Sequence, residues 1–143
     1  MNDEELDPTR TTTTTSQRVR FCETDLMGIV HHASYLVYFE VGRVEWLRQR
    51  GVTYADWASR GIHLPVVDAQ IRYKTPSRFD DLLTIETTLS QLRAVSLQFT
   101  YRVRRDDTLI AEGATRLACV DGQHKLFRID AAMREVLLSA PKL

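Results

Sequence analysis

Hydrophobic residues along this chain follow a helical spacing first and a strand spacing afterwards. Between residues 34 and 50 they predict a helix whose first half is apolar on nearly every side and whose end is polar, and no proline interrupts the segment. An all-round apolar surface is typical of a helix embedded in a core. The helix should stop at Gly51, because glycine is favoured just past a helix end and cations are favoured in the last turn. A short second helix is predicted over residues 53–60.

From residue 67 onward apolar and polar residues alternate, which is the spacing of a half-buried strand. The alternation predicts strands over residues 67–74, 83–89, 95–103 and 109–120, a short strand over 125–129, and a helix over 131–138. Short turns between successive strands favour antiparallel pairing. The sheet needs a cover for its apolar face, and the long apolar helix can supply it. We therefore predict an α+β fold with a curved antiparallel sheet wrapped around one long central α-helix.

The first 16 residues carry almost no apolar side chain and end in a run of threonines. A segment that cannot bury apolar surface is expected to stay disordered, so residues 1–16 are predicted to form a tail. Order should begin near Gln17, where Val19 and Phe21 alternate with arginines as in a strand. Residues 17–143 then form one domain, which agrees with the length of the chain.

Charge and composition exclude several classes of protein. Lys+Arg and Asp+Glu both number 19, and this balance argues against a nucleic-acid or anionic-membrane partner. The acidic start lacks the apolar core of a signal peptide, and no apolar run is long enough to cross a bilayer, so a cytoplasmic location is expected. Cys22 and Cys119 form no metal-binding pattern and are expected to be reduced, mostly buried thiols within strands.

The densest group of reactive side chains lies just before the long helix, over residues 23–32. A loop that leads into a helix N-terminus presents unpaired backbone N–H groups at the positive end of the helix dipole. Such groups stabilise a developing oxyanion. Asp25 lies a few residues upstream and could face a carbonyl held there. The segment thus contains both parts of a hydrolytic site, a base or nucleophile and an oxyanion hole.

Simpler structural explanations compete with this hypothesis. Asp25 could cap the turn that follows it, and Gly28 could be an ordinary turn glycine with positive φ. His31 and His32 are adjacent, and this spacing does not place two metal ligands on one helix face. The other two histidines are isolated in the sequence. We therefore predict no metal site.

The stretch VRFCETDLMGIVHHASYLVYFEVGRVEWLRQRG resembles the signature of the 4-hydroxybenzoyl-CoA thioesterase family, in particular its short acyl-CoA thioesterase branch. The later stretch VVDAQIRYKTPSRFDDLLTIET resembles the second block of that family. Two separated blocks in the right order make the resemblance specific, and together they span about residues 17–140. The resemblance implies a hot-dog fold and hydrolysis of an acyl-CoA thioester. It implies no cofactor, because coenzyme A is part of the substrate.

The resemblance also assigns roles to individual residues. Asp25 matches the catalytic carboxylate of the family, which acts either as a general base on water or as a nucleophile that forms a mixed anhydride. His32 matches the position whose backbone N–H polarises the thioester oxygen. Gly28, Ile29 and Val30 match the tight segment that lets the backbone approach the substrate.

Three further residues are candidates for contacts with the substrate, namely His31, Tyr35 and Glu40. Tyr35 could equally pack in the core. Glu40 matches a frequent glutamate of the family, but it could instead pair with Arg43, three residues later on the helix.

Coenzyme A carries phosphates, which favour arginine and lysine as partners. Arg72, Lys74 and Arg78 form a local basic excess around the second block, and another basic run covers residues 102–105. A solvated strand face is the alternative for each of them, and Arg78 could pair with one of the two aspartates that follow it.

The family joins two sheets edge to edge. The strand over residues 95–103 has no proline or inward charge that would protect an exposed edge. We therefore predict a homodimer or homotetramer with active sites at the subunit interface, with Asp25 from one chain and part of the CoA site from the other.

Other functions remain open at this stage. The chain could be a different hot-dog enzyme, such as a hydratase, a dehydratase or an acyl-carrier-protein thioesterase, or it could be a non-catalytic module that binds acyl thioesters. The segment around Asp25 favours hydrolysis. The residues do not identify the acyl group.

Overall fold

The helices and strands follow the predicted order, with one additional short helix at the start. The computed structural model describes residues 6–142. Its helices are α1 (Pro8–Thr11), α2 (Ser34–Arg48), α3 (Tyr54–Ser59) and α4 (Ala131–Leu137), and its strands are β1 (Thr12–Arg18), β2 (Val66–Tyr73), β3 (Leu82–Leu92), β4 (Ser96–Arg105) and β5 (Thr108–Ala118). A 3₁₀ turn, Phe21–Glu23, lies between β1 and α2. The predicted long central helix, the short helix that follows it and the C-terminal helix are therefore confirmed.

The five strands form one antiparallel sheet in the order β1-β3-β4-β5-β2. Helix α2 lies across one face of this sheet. Phe39 stacks on Tyr101 of β4 with ring centroids 4.2 Å apart, and Trp46 meets Phe99 edge to face at 5.1 Å. A Cβ on Gly42 would overlap the side chain of Thr87 on β3, so glycine allows this close approach. The predicted α+β arrangement of a sheet around one long helix is confirmed.

The prediction that residues 1–16 form a disordered tail is wrong for the part that the structure describes. Strand β1 begins at Thr12 and pairs with β3 along its whole length. Thr13 is buried, and its hydroxyl accepts a hydrogen bond of 2.7 Å from the guanidinium of Arg50. Tertiary hydrogen bonds therefore order a segment that has little apolar surface of its own. Residues 1–5 of the predicted tail lie outside the described residues, as does residue 143 at the other end.

The predicted strand around Phe21 is also wrong. Strand β1 ends at Arg18, and Phe21 begins the 3₁₀ turn with its ring mostly exposed. Cys22 is exposed, against the expectation of a buried thiol, whereas Cys119 is buried as predicted. The short strand predicted over residues 125–129 is reduced to a single bridge between Leu126 and Val120.

The structure corrects the prediction of which strand forms an open edge. Strand β4 is the central strand of the sheet and pairs with both β3 and β5. The edges are β1 and β2, and nearly every residue of β2 is exposed. Alternation alone predicted β4 as a strand correctly, but it carries no information about the order of strands. Within residues 6–142, no helix is both long and apolar enough to cross a membrane.

Candidate active site

The connection from β1 to α2 folds into a narrow loop. Thr24 and Val30 form an antiparallel bridge, and the Asp25 N–H donates to the Ile29 carbonyl at 3.0 Å. Gly28 turns the chain with a φ of +77°, and its N–H donates back to the Asp25 carbonyl at 2.9 Å. A residue with a Cβ would be strained at this φ, which explains the glycine. The loop therefore fixes Asp25 directly across from Ile29.

The Asp25 carboxylate is half-buried and has two distinct oxygens. Its Oδ1 accepts a hydrogen bond of 2.9 Å from the Met27 N–H, so this oxygen caps the turn. Within residues 6–142 the other oxygen has no hydrogen-bond donor. The capping explanation and a chemical role are therefore compatible, because they use different oxygens of the same group.

A cleft of about 340 Å³ opens beside this loop. It is lined by Asp25, Met27, Ile29, Val30, His32, Tyr35, Tyr73, Lys74, Thr75 and Pro76. Six of the residues predicted for the site meet here, and Gly28 lies at the adjacent turn. The opposite wall comes from the end of β2 and the segment that follows it. The cleft thus joins the two sequence blocks that carried the resemblance.

The backbone N–H of His32, a residue that lines the cleft, is available to a ligand. The N–H of His31 donates to the Glu23 carbonyl at 2.8 Å, and the N–H of Ala33 donates to Nδ1 of His31 at 3.2 Å. Between them, the His32 N–H has no hydrogen-bond partner among residues 6–142. It precedes α2 by two residues, near the positive end of the helix dipole. This is a suitable place for a carbonyl oxygen that gains negative charge.

Two tyrosines that sequence reasoning treated differently form a shared wall of the cleft. Tyr35 is buried, and its hydroxyl bonds the Ser77 hydroxyl at 2.8 Å. Burial raises the pKa of Tyr35 above its ordinary value, so the phenol is neutral at physiological pH. Tyr73 meets Tyr35 edge to face at 5.6 Å, and its hydroxyl donates to the His32 carbonyl at 3.0 Å. Tyr73 therefore contacts the peptide group directly after the candidate oxyanion donor.

Of the three preferred basic candidates for phosphate binding, the structure brings only Lys74 to this cleft. Its Nζ lies 3.8 Å from the Glu112 carboxylate. Arg72 precedes Tyr73 on the strand and therefore points to the opposite face, where it lines a separate cleft with Arg102.

The Arg78 side chain does not pair with the aspartates that follow it. Asp81 accepts the backbone N–H of Arg78 at 2.9 Å and forms an ion pair of 2.9 Å with Arg105 instead. Among the ion pairs of residues 6–142, none involves the Arg78 guanidinium. Arg78 therefore remains an unassigned surface cation.

Glu40 and His31 do not line the cleft. Glu40 lies beside a second cavity of about 270 Å³, together with Arg43 and Tyr54. The ion pair between Glu40 and Arg43, an alternative that the sequence left open, is absent from the described residues, and Arg43 donates to the Tyr101 hydroxyl at 3.3 Å. The His31 ring lies beside the His32 ring, with centroids 4.2 Å apart.

Sequence reasoning missed four residues of the cleft, namely Met27, Tyr73, Thr75 and Pro76. Met27 lies inside the predicted loop and could have been found from its position alone. The other three lie more than 40 residues later in the chain, next to Lys74. The second resemblance block covered them, but spacing within the sequence gave no reason to place them against Asp25.

The sequence from residue 19 to residue 137 matches the family model described as the thioesterase-like superfamily. The chain belongs to this superfamily. A putative esterase of Aquifex aeolicus is 35% identical over 121 residues, which is 85% of this chain and 94% of that protein. The acyl-CoA thioester hydrolase YbgC of Escherichia coli is 35% identical over 105 residues, covering 73% of this chain and 78% of that protein.

Solved structures agree with the superfamily assignment. A hypothetical protein of Thermus thermophilus superposes with a TM-score of 0.84 at 39% identity, covering 87% of this chain and 95% of that one. A 4-hydroxybenzoyl CoA thioesterase superposes with a TM-score of 0.81 over 89% of this chain and 99% of that one. Its identity of 20% supports the fold alone. The predicted hot-dog fold and the predicted family are confirmed, and the chain is a thioesterase.

Proposed function

We propose that this thioesterase hydrolyses an acyl-CoA thioester to a free acid and coenzyme A. One observation carries the proposal, namely that a single cleft holds the Asp25 carboxylate and the unpartnered backbone N–H of His32. The two groups supply the negative charge and the oxyanion donor that acyl transfer needs. The name of the Escherichia coli relative supports coenzyme A as the carrier.

The chemistry follows from these two groups. The thioester oxygen accepts the His32 N–H, which draws electrons from the carbonyl carbon. The Asp25 carboxylate removes a proton from water, and the resulting hydroxide adds to that carbon to form a tetrahedral intermediate. The C–S bond then breaks, the thiolate of coenzyme A leaves, and a proton returns to the sulfur.

A covalent route uses the same atoms in another order. In it the Asp25 carboxylate attacks the carbonyl carbon, the thiolate leaves, and water then hydrolyses the mixed anhydride. The free oxygen of Asp25 is compatible with both routes. Incorporation of ¹⁸O from labelled water into Asp25 during a single turnover would identify the covalent one.

The walls of the cleft indicate where the acyl group binds. Ile29, Val30 and Tyr35 are apolar or neutral and line the cleft with Asp25, and the Tyr73 ring packs against Tyr35. Lys74 follows Tyr73 and is the described cation of the cleft, so it is our candidate for the first phosphate contact. Arg72 and Arg78 remain predictions for the phosphates.

A homodimer through the β2 edge completes this proposal. Strand β2 and the outer side of α2 expose apolar side chains, and their exposed fractions run from 43% for Leu36 to 59% for Val67. An open edge of this kind is a template for pairing with another strand. Because Tyr73 and Lys74 lie at the end of β2, a partner strand there would border the cleft. A homotetramer and a cytoplasmic location remain expectations from the sequence.

The experiment that tests the function is thiol release, followed with a disulfide reagent on aryl, short-chain and long-chain acyl-CoAs and on matching acyl carrier protein thioesters. Turnover of at least one acyl-CoA supports the proposal, and the best substrate defines the acyl class. Turnover of carrier-protein thioesters alone would favour the acyl-carrier-protein alternative. Binding of CoA esters without thiol release from any substrate would contradict hydrolysis and favour a binding module.

A further inference from the structure

Glu23 is a buried carboxylate two residues before Asp25, and it has an unusually complete set of hydrogen bonds. Glu23 is 5% exposed. The Arg20 backbone N–H donates to Oε1 at 2.7 Å, and the Arg20 guanidinium donates to Oε2 from Nε at 3.0 Å and from Nη2 at 2.8 Å. The Tyr38 hydroxyl of α2 donates to Oε1 at 2.9 Å. The side chain thus connects the start of the loop to the interior of the helix.

The backbone of Glu23 connects the same loop to the beginning of α2. Its carbonyl accepts the His31 N–H at 2.8 Å and the Ser34 hydroxyl at 3.2 Å. The loop from Asp25 to Val30 therefore leaves from Glu23 and returns to Glu23. Glu23 therefore connects the segment that carries Asp25 to the segment that carries the His32 N–H.

The charge state of the group agrees with this geometry. Burial by itself would raise the pKa of Glu23, but hydrogen bonds from Arg20 and Tyr38 outweigh it, and the pKa lies below its ordinary value. Burial and the hydrogen bond to Glu23 raise the pKa of Tyr38, so its phenol keeps its proton. Glu23 is therefore an ionised acceptor and Tyr38 a neutral donor. Charge-assisted hydrogen bonds of this kind are short and comparatively strong.

We propose that Glu23, held by Arg20 and Tyr38, is a positioning residue that sets Asp25 relative to the His32 N–H. The inference rests on the proposed function and goes beyond it, since Glu23 does not line the cleft. A misplacement of about 1 Å is enough to lower the rate of an enzyme by about a hundredfold. A residue that only stabilised the fold would lower stability without a selective loss of turnover.

The test compares two buried tyrosines that lose the same hydroxyl. Tyr38→Phe removes the bond to Glu23, whereas Tyr101→Phe removes the bonds to Thr115 and Arg43 at a position that does not contact the loop. Each variant is measured for kcat, KM and thermal unfolding, with the acyl-CoA that wild type hydrolyses best. We expect Tyr38→Phe to lower kcat about tenfold or more with KM within about twofold. We expect Tyr101→Phe to keep the wild-type kcat at a similar loss of stability.

A second series keeps the test decisive if Tyr38→Phe folds poorly. Glu23→Gln retains the shape and part of the hydrogen bonding, and Glu23→Ala retains neither, so kcat should fall in the order wild type, Gln, Ala. Hydrogen exchange of the amides of residues 24–33 should become faster in these variants and in Tyr38→Phe, but not in Tyr101→Phe. Equal kcat values for Tyr38→Phe and Tyr101→Phe, with unchanged exchange of the loop, would overturn the positioning role.

The two proposals fail in different ways. If wild type releases no thiol from any thioester, the proposed function is wrong, and the exchange data alone then report whether Glu23 orders the loop. If wild type hydrolyses acyl-CoA but the tyrosine variants do not differ, only the role of Glu23 is wrong.

Discussion

The two edge strands of the sheet, β1 and β2, are buried to a degree that their hydrophobicity does not predict. Strand β1 is built of threonine, serine, glutamine and arginine, yet it is paired throughout and part of it is buried. Strand β2 has the more apolar sequence, yet it is exposed along nearly all of its length. The hydrophobic pattern of a strand therefore indicates which side chains it could bury. The surrounding structure decides whether it does so within one chain.

A buried cation, Arg50, contacts the start of β1. Arg50 lies over the Trp46 ring, with Cζ 3.6 Å from the centroid. Its guanidinium donates to the Thr13 hydroxyl and to the carbonyls of Arg10, Trp46 and Ser139. Burial lowers the pKa of Arg50 to about 10, and the group stays charged at neutral pH. This residue joins the start of β1 to the C-terminal segment, whereas the described contacts of β2 on its outer side include no equivalent.

The largest expected effect is the loss of this cation. Arg50→Ala should lower the free energy of unfolding by about 3 kcal/mol, because it leaves several buried acceptors without donors. Urea unfolding measures the change. Arg48→Ala is the matched control, since Arg48 is exposed and, within residues 6–142, its guanidinium pairs with Glu45 alone, so its loss should cost under about 0.5 kcal/mol. Equal effects of the two substitutions would show that Arg50 does not hold β1 in place.

The open edge is tested by adding a charge to it. Ala69 lies in the middle of β2, and Ala69→Lys places a cation where the proposed partner strand and helix would pack. We expect the dimer dissociation constant to rise about a hundredfold or more in sedimentation experiments, with thioesterase activity falling in parallel. Thr14→Lys, on the exposed side of β1, should change neither. A monomeric wild type with full activity would contradict the dimer at this edge.

The hydrogen bond between Tyr73 of β2 and the His32 carbonyl should affect turnover in the cleft. Tyr73→Phe keeps the ring against Tyr35 and removes the hydrogen bond to the His32 carbonyl. We expect kcat to fall about tenfold, because one hydrogen bond of ordinary strength orients the oxyanion donor. Steady-state kinetics measure the effect. An unchanged kcat would mean that β2 contributes a wall to the cleft but does not orient His32.

The smallest expected effect is the loss of one hydroxyl group from a side chain that keeps its shape. Thr13→Val keeps the branched side chain and removes the acceptor of the Arg50 guanidinium. The free energy of unfolding should fall by about 1 kcal/mol. Thr14→Val removes an exposed hydroxyl from the next residue and should stay within about 0.5 kcal/mol of wild type in the same urea experiment.

The fold was largely predictable, because its strongest signals are local. The all-round apolar segment became α2, and the alternating segments became β3, β4 and β5 with ends shifted by a few residues. The failures involve distant partners. Thr13 is ordered by Arg50, 37 residues later, and the position of a strand within a sheet depends on pairings that no local pattern records.

The part of the candidate site formed by the loop before α2 was predictable, because its residues are local in sequence. Residues of the loop, such as Asp25 and His32, are close together in sequence and in space. The opposite wall comes from the end of β2, and only the family resemblance brought that segment to attention. The basic candidates for phosphate binding do not all lie at the cleft. Lys74 lines it, whereas Arg72 lies on the opposite face of β2 from Tyr73, because successive residues of a strand face opposite sides.

The most direct test of Asp25 as the catalytic carboxylate is the turnover number of Asp25→Asn on the best acyl-CoA, compared with that of Asp106→Asn. Both substitutions remove one negative charge and keep the shape, and Asp106 lies exposed in the turn between β4 and β5. We expect Asp25→Asn to lose at least about a hundredfold in kcat while Asp106→Asn stays near wild type. A fully active Asp25→Asn enzyme would contradict this role, because the carboxylate in the cleft would then have no part in the hydrolysis.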